Sequence, residues 1–270
     1  MGELTTNMDD FYLDLMKRCL AGSIYPGMIG TIWPKTLLPR KLLKMMLPQD
    51  VRCYQLMTQE ELGRGLNWPH QAQTMIGQKR LNNIQYCVEN IIKNHVPGDL
   101  IETGVWRGGA VIFMRALLKA YGVKDRTVWV ADSFEGFPRP DAKKYSADAG
   151  ERLHYIKEFA VSLEQVKANF AAYGLLDDRV RFLKGWFKDT LPIAPISKLA
   201  VARLDGSLYE STADALKYLY SKLSIGGYLI VDDYAVTVCK KAVHDFRITH
   251  NITEEIRDID GMGIFWQRVH

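Results

Sequence analysis

The stretch Asp99-Leu100-Ile101-Glu102-Thr103-Gly104-Val105-Trp106-Arg107-Gly108-Gly109 decides the fold. A short apolar strand ends in an acid. A turn opens at Gly104, and the paired glycines lead into an apolar helix from Ala110 to Ala120. Gly104 can take the positive φ of a tight strand-to-helix turn, and the later glycines let the backbone approach a ligand closely. The helix start adds unpaired N–H groups and a positive dipole end. The spacing is E-x-G-x-x-x-G-G rather than the G-x-G-x-x-G of a pyrophosphate cradle, which argues against a nicotinamide-dependent dehydrogenase.

Strand and helix patterns alternate on either side of this stretch. An amphipathic helix over Lys79–Lys93 precedes it. Buried strands are expected at Thr127–Ala131, Val180–Leu183, Leu199–Leu204 and Tyr228–Val231, with a last strand at Gly263–Arg268. Ser162 with Gln165, and Ser211 with Asp214, resemble helix N-caps. Gly226-Gly227 is read as the stop of a helix over Thr212–Leu223, and another helix is expected over Cys239–Arg247. The pattern predicts an α/β, Rossmann-like, mostly parallel doubly wound sheet with helices on both faces. Pro138–Glu151 is polar and is expected to be a mobile loop.

Ahead of residue 79 the character differs. A helix is expected over Phe11–Tyr25, and Gly63–Gly77 is loop-like. Pro26–Asp50 carries four prolines among apolar and basic residues, and reads as an irregular arm with one short helix near Arg40–Met46. The division is therefore an α-helical N-terminal arm and lid over 1–78 and a catalytic domain over 79–270. The arm suits a lid, a dimer contact or a surface patch.

The 270 residues, 47% of them hydrophobic, suffice for a full core. A net charge of +4 is too small to indicate nucleic acid. No apolar run nears the roughly 20 residues of a membrane span, and no secretory leader is expected. Cys19, Cys53, Cys87 and Cys239 have no paired spacing, which points to thiols in a reducing cytoplasm. The six histidines form no spaced cluster and none is assigned a catalytic role.

In open α/β sheets ligands bind beyond the carboxyl ends of the strands. Those ends carry Glu102, Asp132, Gly185, Asp205, and Asp232 with Asp233. Glu102 suits a ligand bearing positive charge, such as the amino and sulfonium groups of S-adenosylmethionine. Asp132 suits two ribose hydroxyls, or else caps its own loop. Gly185, Trp186 and Phe187 offer backbone and aromatic surface for an adenine, or are core. Three carboxylates at adjacent strand tips repel unless something cationic sits among them. Oxygen ligands of this kind suit Mg²⁺. Asp205 is then metal ligand, base, or both.

Longer motifs carry a resemblance: Thr74-Met75-Ile76-Gly77, E-T-G-V-W-R-G-G (Glu102 to Gly109), A-D-S-F-E-G-F-P (Ala131 to Pro138), Y-G-L-L-D-D (Tyr173 to Asp178), L-K-G-W-F-K-D-T-L-P (Leu183 to Pro192), L-D-G-S-L-Y-E-S-T (Leu204 to Thr212) and G-G-Y-L-I-V-D-D-Y (Gly226 to Tyr234). With Tyr12-Leu13-Asp14-Leu15, the chain resembles the macrocin O-methyltransferase (TylF-type) family along nearly its whole length. The resemblance implies a class I methyltransferase fold and an S-adenosylmethionine-dependent, Mg²⁺-assisted O-methyltransferase that acts on sugar hydroxyls of natural products and releases S-adenosylhomocysteine. It implies Asp205 as base and Asp205, Asp232 and Asp233 as metal ligands. The candidate cofactor residues are Thr74 and Met75, the turn Glu102, Thr103, Gly104, Val105, Trp106 and Arg107, then Asp132 and Ser133, and Gly185, Trp186 and Phe187. Ser207 stands where the family usually shows Asp. The expected partners are a glycosylated or polyhydroxy small molecule and further copies of the chain in a homo-oligomer. A catechol-type methyltransferase and a non-catalytic adenosine-binding module are the alternatives.

Overall fold

The structure is a computed structural model that describes residues 8–25, 27–31, 54–65 and 68–270. In chain order the named elements begin with helix α1 (Met8–Ala21), strands β1 (Ile29–Thr31) and β2 (Tyr54–Leu56), and helices α2 (Gln59–Arg64) and α3 (Gln78–Lys93). Then come β3 (Asp99–Thr103), α4 (Gly109–Ala120), β4 (Val128–Asp132), α5 (Leu163–Ala172), β5 (Val180–Lys184), the short α6 (Phe187–Thr190) and β6 (Leu199–Leu204). The chain closes with α7 (Tyr209–Leu219), β7 (Leu223–Val231), α8 (Thr237–Thr249), β8 (Arg257–Asp258) and β9 (Ile264–Gln267).

Seven strands form one sheet in the order β5-β4-β3-β6-β7-β9-β8. The pairs among β3 to β7 are parallel, and β9 pairs antiparallel with both β7 and β8. The order reverses between β3 and β6, because successive crossovers run outward on opposite sides. That switch opens a crevice above the carboxyl ends of the two central strands. All six residues of β6 are buried, as a central parallel strand covered on both faces must be.

One apolar cluster lies on the face covered by α1, α3, α4 and α5, with Leu13, Leu20, Ile84, Ile91, Phe113 and Phe170 among its buried members. The other lies under α7 and α8, around Ile101, Leu216, Leu229, Val243 and Trp266. Helix α1 has apolar residues at helical spacing, with Leu13 and Leu20 fully buried, so it shares the core of the sheet. Among the described residues no helix is long and apolar enough to cross a membrane.

Several sequence expectations are corrected. Gly226 and Gly227 stop no helix: α7 ends at Leu219, and both glycines lie inside the nine-residue β7. A Cβ on Gly227 would press on the Ala200 and Ser224 carbonyls, so its role is close strand approach. Ser211 is no cap; Leu208 holds that position and Ser211 faces inward in the first turns of α7. Ser162 does cap α5, accepting from the Gln165 N–H at 3.1 Å. The loop-like stretch from Gly63 begins inside α2, which is closed by a capping box between Thr58 and Glu61 and by Gly65 in the left-handed conformation. Strands β1 and β2, an antiparallel pair, had no sequence signal of their own. The short helix expected near Arg40–Met46, most of the Pro26–Asp50 arm and Cys53 lie outside the described residues.

Near its end the Pro138–Glu151 segment is tied to α7. Asp148 is fully buried, and its two oxygens accept the Tyr209 and Glu210 N–H groups at 2.8 and 2.9 Å. A residue 61 positions upstream thus satisfies the first free N–H groups of α7.

Candidate functional site

A cavity of about 580 Å³ opens above the carboxyl ends of β3, β4, β6 and β7. Its floor is built by turns that leave the strands sharply. Gly104 takes φ 83°, and a side-chain carbon there would collide with the Asp205 carbonyl. Trp106, Phe134 and Ser207 hold positive φ values of 47°, 58° and 53° without being glycine. Each follows a strand tip at the crevice, so backbone strain is concentrated at the ligand end of the sheet.

Asp132 ties two of these turns together. Its Oδ2 accepts from the Val105 N–H and its Oδ1 from the Phe134 N–H, both at 2.7 Å. Burial pushes its carboxyl above the ordinary range, and these backbone donors pull it part of the way back. Of the two roles read from sequence, the loop-capping one is occupied, and Asp132 also lines the cavity.

The acidic centre lies beside it. Asp205, Asp232 and Asp233 each place one oxygen within 4.8 Å of the others. Two arginines run through the group. Arg203, 1% exposed, donates to Glu102, to Asp205 at 2.8 Å and to Asp232. Arg80 donates to Asp232 at 2.5 Å and to Asp260 at 3.0 Å. Ser207 donates its hydroxyl to Asp233 at 2.7 Å, so a hydroxyl serves that acid where the resemblance led one to expect a further carboxylate.

Five carboxylates thus surround two guanidiniums, and positive charge is short. Burial, reinforced by Asp232 and opposed by Arg203, drives Asp205 well above the usual carboxylate range. Burial and Asp232 raise Asp233 as well. Burial alone would also raise Asp232, but Arg203 and Arg80 outweigh it and hold that carboxyl low. Glu102 is pushed up to about 7 by burial against the pull of Arg203, and among the described residues its Oε2 has no partner.

Of the residues singled out from the sequence, Thr74, Met75, Glu102, Gly104, Val105 and Trp106 line the cavity. Asp132, Ser133, Trp186 and Phe187 line it too, as do Asp205, Asp232 and Asp233. Three stand off the wall. Thr103 is fully buried within the sheet. Arg107 turns back to donate to the His70 and Ala72 carbonyls at 2.7 and 2.9 Å. Gly185 carries φ 140° and donates its N–H to the Asp132 carbonyl, serving the turn rather than the cavity. Among the histidines, His244 pairs with the Tyr234 hydroxyl at 2.8 Å.

Sequence reasoning missed both arginines, having assigned the cation among the acids to a metal. Arg203 had a signal: a charged residue in the otherwise apolar Leu199–Leu204 strand has to be paired when buried. Arg80 had none, because its partners Asp232 and Asp260 are 152 and 180 residues away. Also unforeseen was an aromatic wall, where Phe159 meets Trp68 and Phe137 edge-on at 4.4 and 4.9 Å between centroids.

Comparison with known proteins gives the relatives of this chain. The sequence model of the family described as Macrocin-O-methyltransferase (TylF) matches residues 9–268. The chain is 52% identical, over 98% of its length and 95% of the relative's, to 8-demethyl-8-(2,3-dimethoxy-alpha-L-rhamnosyl)-tetracenomycin-C 4'-O-methyltransferase of Streptomyces olivaceus. It is 47% identical to mycinamicin III 3''-O-methyltransferase of Micromonospora griseorubida, over 96% of both chains. Among solved structures, the O-methyltransferase NovP superposes with a TM-score of 0.85 at 48% identity, covering 97% of this chain and all of that one. The calicheamicin methyltransferase CalS11, at 18% identity and a TM-score of 0.57 over 99% of this chain and 97% of its own, shares the fold.

Proposed function

Because the chain belongs to the macrocin O-methyltransferase (TylF) family and is therefore an S-adenosylmethionine-dependent O-methyltransferase, we propose that it methylates a sugar hydroxyl of a glycosylated natural product with the help of Mg²⁺. The near full-length likeness to two enzymes named for sugar positions carries the choice of methyl acceptor. The same reading makes the enzyme a cytoplasmic homo-oligomer, which light scattering checks.

The donor set fits the ion. Three carboxylates within reach of one another are hard oxygen ligands, and the shortage of positive charge around them is what a divalent cation relieves. Asp205, Asp232 and Asp233 would hold it. A bound Mg²⁺ would ease loss of the proton from a hydroxyl and stabilise the developing alkoxide.

The chain's own residues do the rest. Glu102, the Gly104–Trp106 turn and Asp132 hold the methyl donor at the floor of the cavity. Arg203 fixes the Asp205 carboxylate through one oxygen, and Asp205 lines the cavity that would take the methyl acceptor. In the reaction the sugar oxygen attacks the methyl carbon in line. The new C–O bond forms as the C–S bond breaks, the bonding pair stays on sulfur, and the hydroxyl proton passes to Asp205. Alignment supplies the largest part of the acceleration and the proton acceptor a further ~10² to 10⁴-fold.

The test is methyl transfer from S-adenosylmethionine to a panel comprising the 2,3-dimethoxyrhamnosyl tetracenomycin, mycinamicin III, other rhamnosyl glycosides and a catechol, with and without chelator. Transfer to a glycoside that stops with EDTA and returns with Mg²⁺ is expected. Preference for the catechol overturns the choice of methyl acceptor. Full activity in EDTA overturns the ion.

A further inference from the structure

Glu210 and Asp214 lie one turn apart on α7, each 7% exposed, and both line the cavity. The Glu210 N–H is satisfied by Asp148, but among the described residues no donor bonds to either side-chain carboxylate. Lys144 and Lys188 act on both acids, yet neither forms an ion pair with them. Their oxygens open on the cavity, where only water or a ligand can donate to them, and the helix N-terminus offsets only part of their charge. Burial accordingly raises the proton affinity of both. Two such groups aimed into a cavity call for a ligand that brings its own donors.

The position says which part of a ligand they meet. The turn Gly206-Ser207-Leu208 joins Asp205 directly to α7. It is pressed close to the helix, since a Cβ on Gly206 would lie 2.8 Å from that of Ser211. The pair therefore follows Asp205 closely in the fold. A sugar oxygen placed at Asp205 sets the remainder of the ring along the first turns of α7, where the two acids are spaced about 6 Å along the axis. The group of metal-ligating acids found among the described residues, Asp205, Asp232 and Asp233, does not include them. Lys144, Lys188 and Lys217 already supply positive charge around Asp214, so neutral hydroxyl donors match this wall better than a second cation.

We infer that Glu210 and Asp214 form the subsite that grips the methyl acceptor, taking hydrogen bonds from sugar hydroxyls other than the one methylated. This deepens the function proposed above and rests on it. Replacing either acid removes a charged acceptor from those hydroxyls and weakens methyl-acceptor binding, leaving the donor and the reacting centre alone.

The experiment uses the full chain with a glycoside that the unaltered enzyme methylates. Glu210→Gln and Asp214→Asn are each expected to raise KM for the glycoside about tenfold or more. The kcat and the Kd for S-adenosylmethionine should stay within about twofold. An unmoved KM, or a donor Kd that weakens in step, overturns the inference. A second measurement needs no variant: glycosides whose remaining sugar hydroxyls are removed or methylated should lose the same factor with the unaltered enzyme, and equal KM values overturn the pair. Absence of transfer to every glycoside overturns the function and the pair together, whereas transfer with unmoved KM overturns the pair alone.

Discussion

Glu102 and Arg203 stand opposite each other on the parallel strands β3 and β6, and their side chains form an ion pair in which each residue is 1% exposed. Arg203 extends the pairing to Asp205 and Asp232, so one guanidinium joins the tips of three neighbouring strands. Removing one partner of a buried pair strands the other charges. Arg203→Met is expected to cost ~3 to 5 kcal/mol of unfolding free energy, measured by urea denaturation of the purified protein. A loss below about 1 kcal/mol would show that the acids do not depend on it.

Arg80 reaches the same centre from α3 and ties Asp232 to Asp260 beside β9. If Asp232 holds Mg²⁺ as proposed, Arg80 orients that carboxylate from behind. Arg80→Lys keeps the charge but loses the fork that bridges two acids. The activating Mg²⁺ concentration is expected to rise by about 10 to 100-fold with S-adenosylmethionine affinity preserved. Calorimetric titration of both ligands checks this.

Asp205 takes a hydrogen bond from Arg203 on one oxygen and lines the cavity. Asp205→Asn is expected to lower kcat by about 10² to 10⁴-fold while Kd for S-adenosylmethionine moves less than about threefold. Single-turnover kinetics separates the two. Turnover at the unaltered rate would move the proton transfer to another group.

Away from the site, Arg115 on α4 grips Asp177 with three N–H···O contacts of 2.6 to 3.1 Å. Burial raises the Asp177 carboxyl, but the Arg115 donors and the Arg179 N–H outweigh it and hold it below its ordinary value. A depressed carboxyl stabilises the fold above the unfolded pKa near 3.9 and loses that contribution as pH falls through the folded value. Asp177→Asn is therefore expected to cost about 1 kcal/mol at pH 7, the gap closing as pH drops from about 5 to 3. Denaturant midpoints across that range read it.

The sequence made the site legible wherever chemistry is local. Glu102, Asp132, Asp205, Asp232 and Asp233 were identifiable because each ends an apolar strand, and in a parallel sheet such ends gather at one edge. Arg203 was legible only as an oddity in β6, since two of its three partners, Glu102 and Asp232, lie 101 residues upstream and 29 downstream. Glu210 and Asp214 looked like ordinary acids at a helix start, and it was packing that set them in the wall of the cavity.

From the sequence alone came the alternation of strands and helices, the turn at Gly104 and the three acids. Those features depend on period, backbone freedom and residue type, which neighbouring residues determine. The tertiary structure decided what neutralises the acids, because the register of β3 on β6 puts Arg203 against Glu102 and the packing of α3 delivers Arg80. It also decided that Arg107 leaves the ligand to clamp the backbone, and that Asp148 holds α7. These are long-range pairings, and no local pattern records which distant group a buried charge will meet.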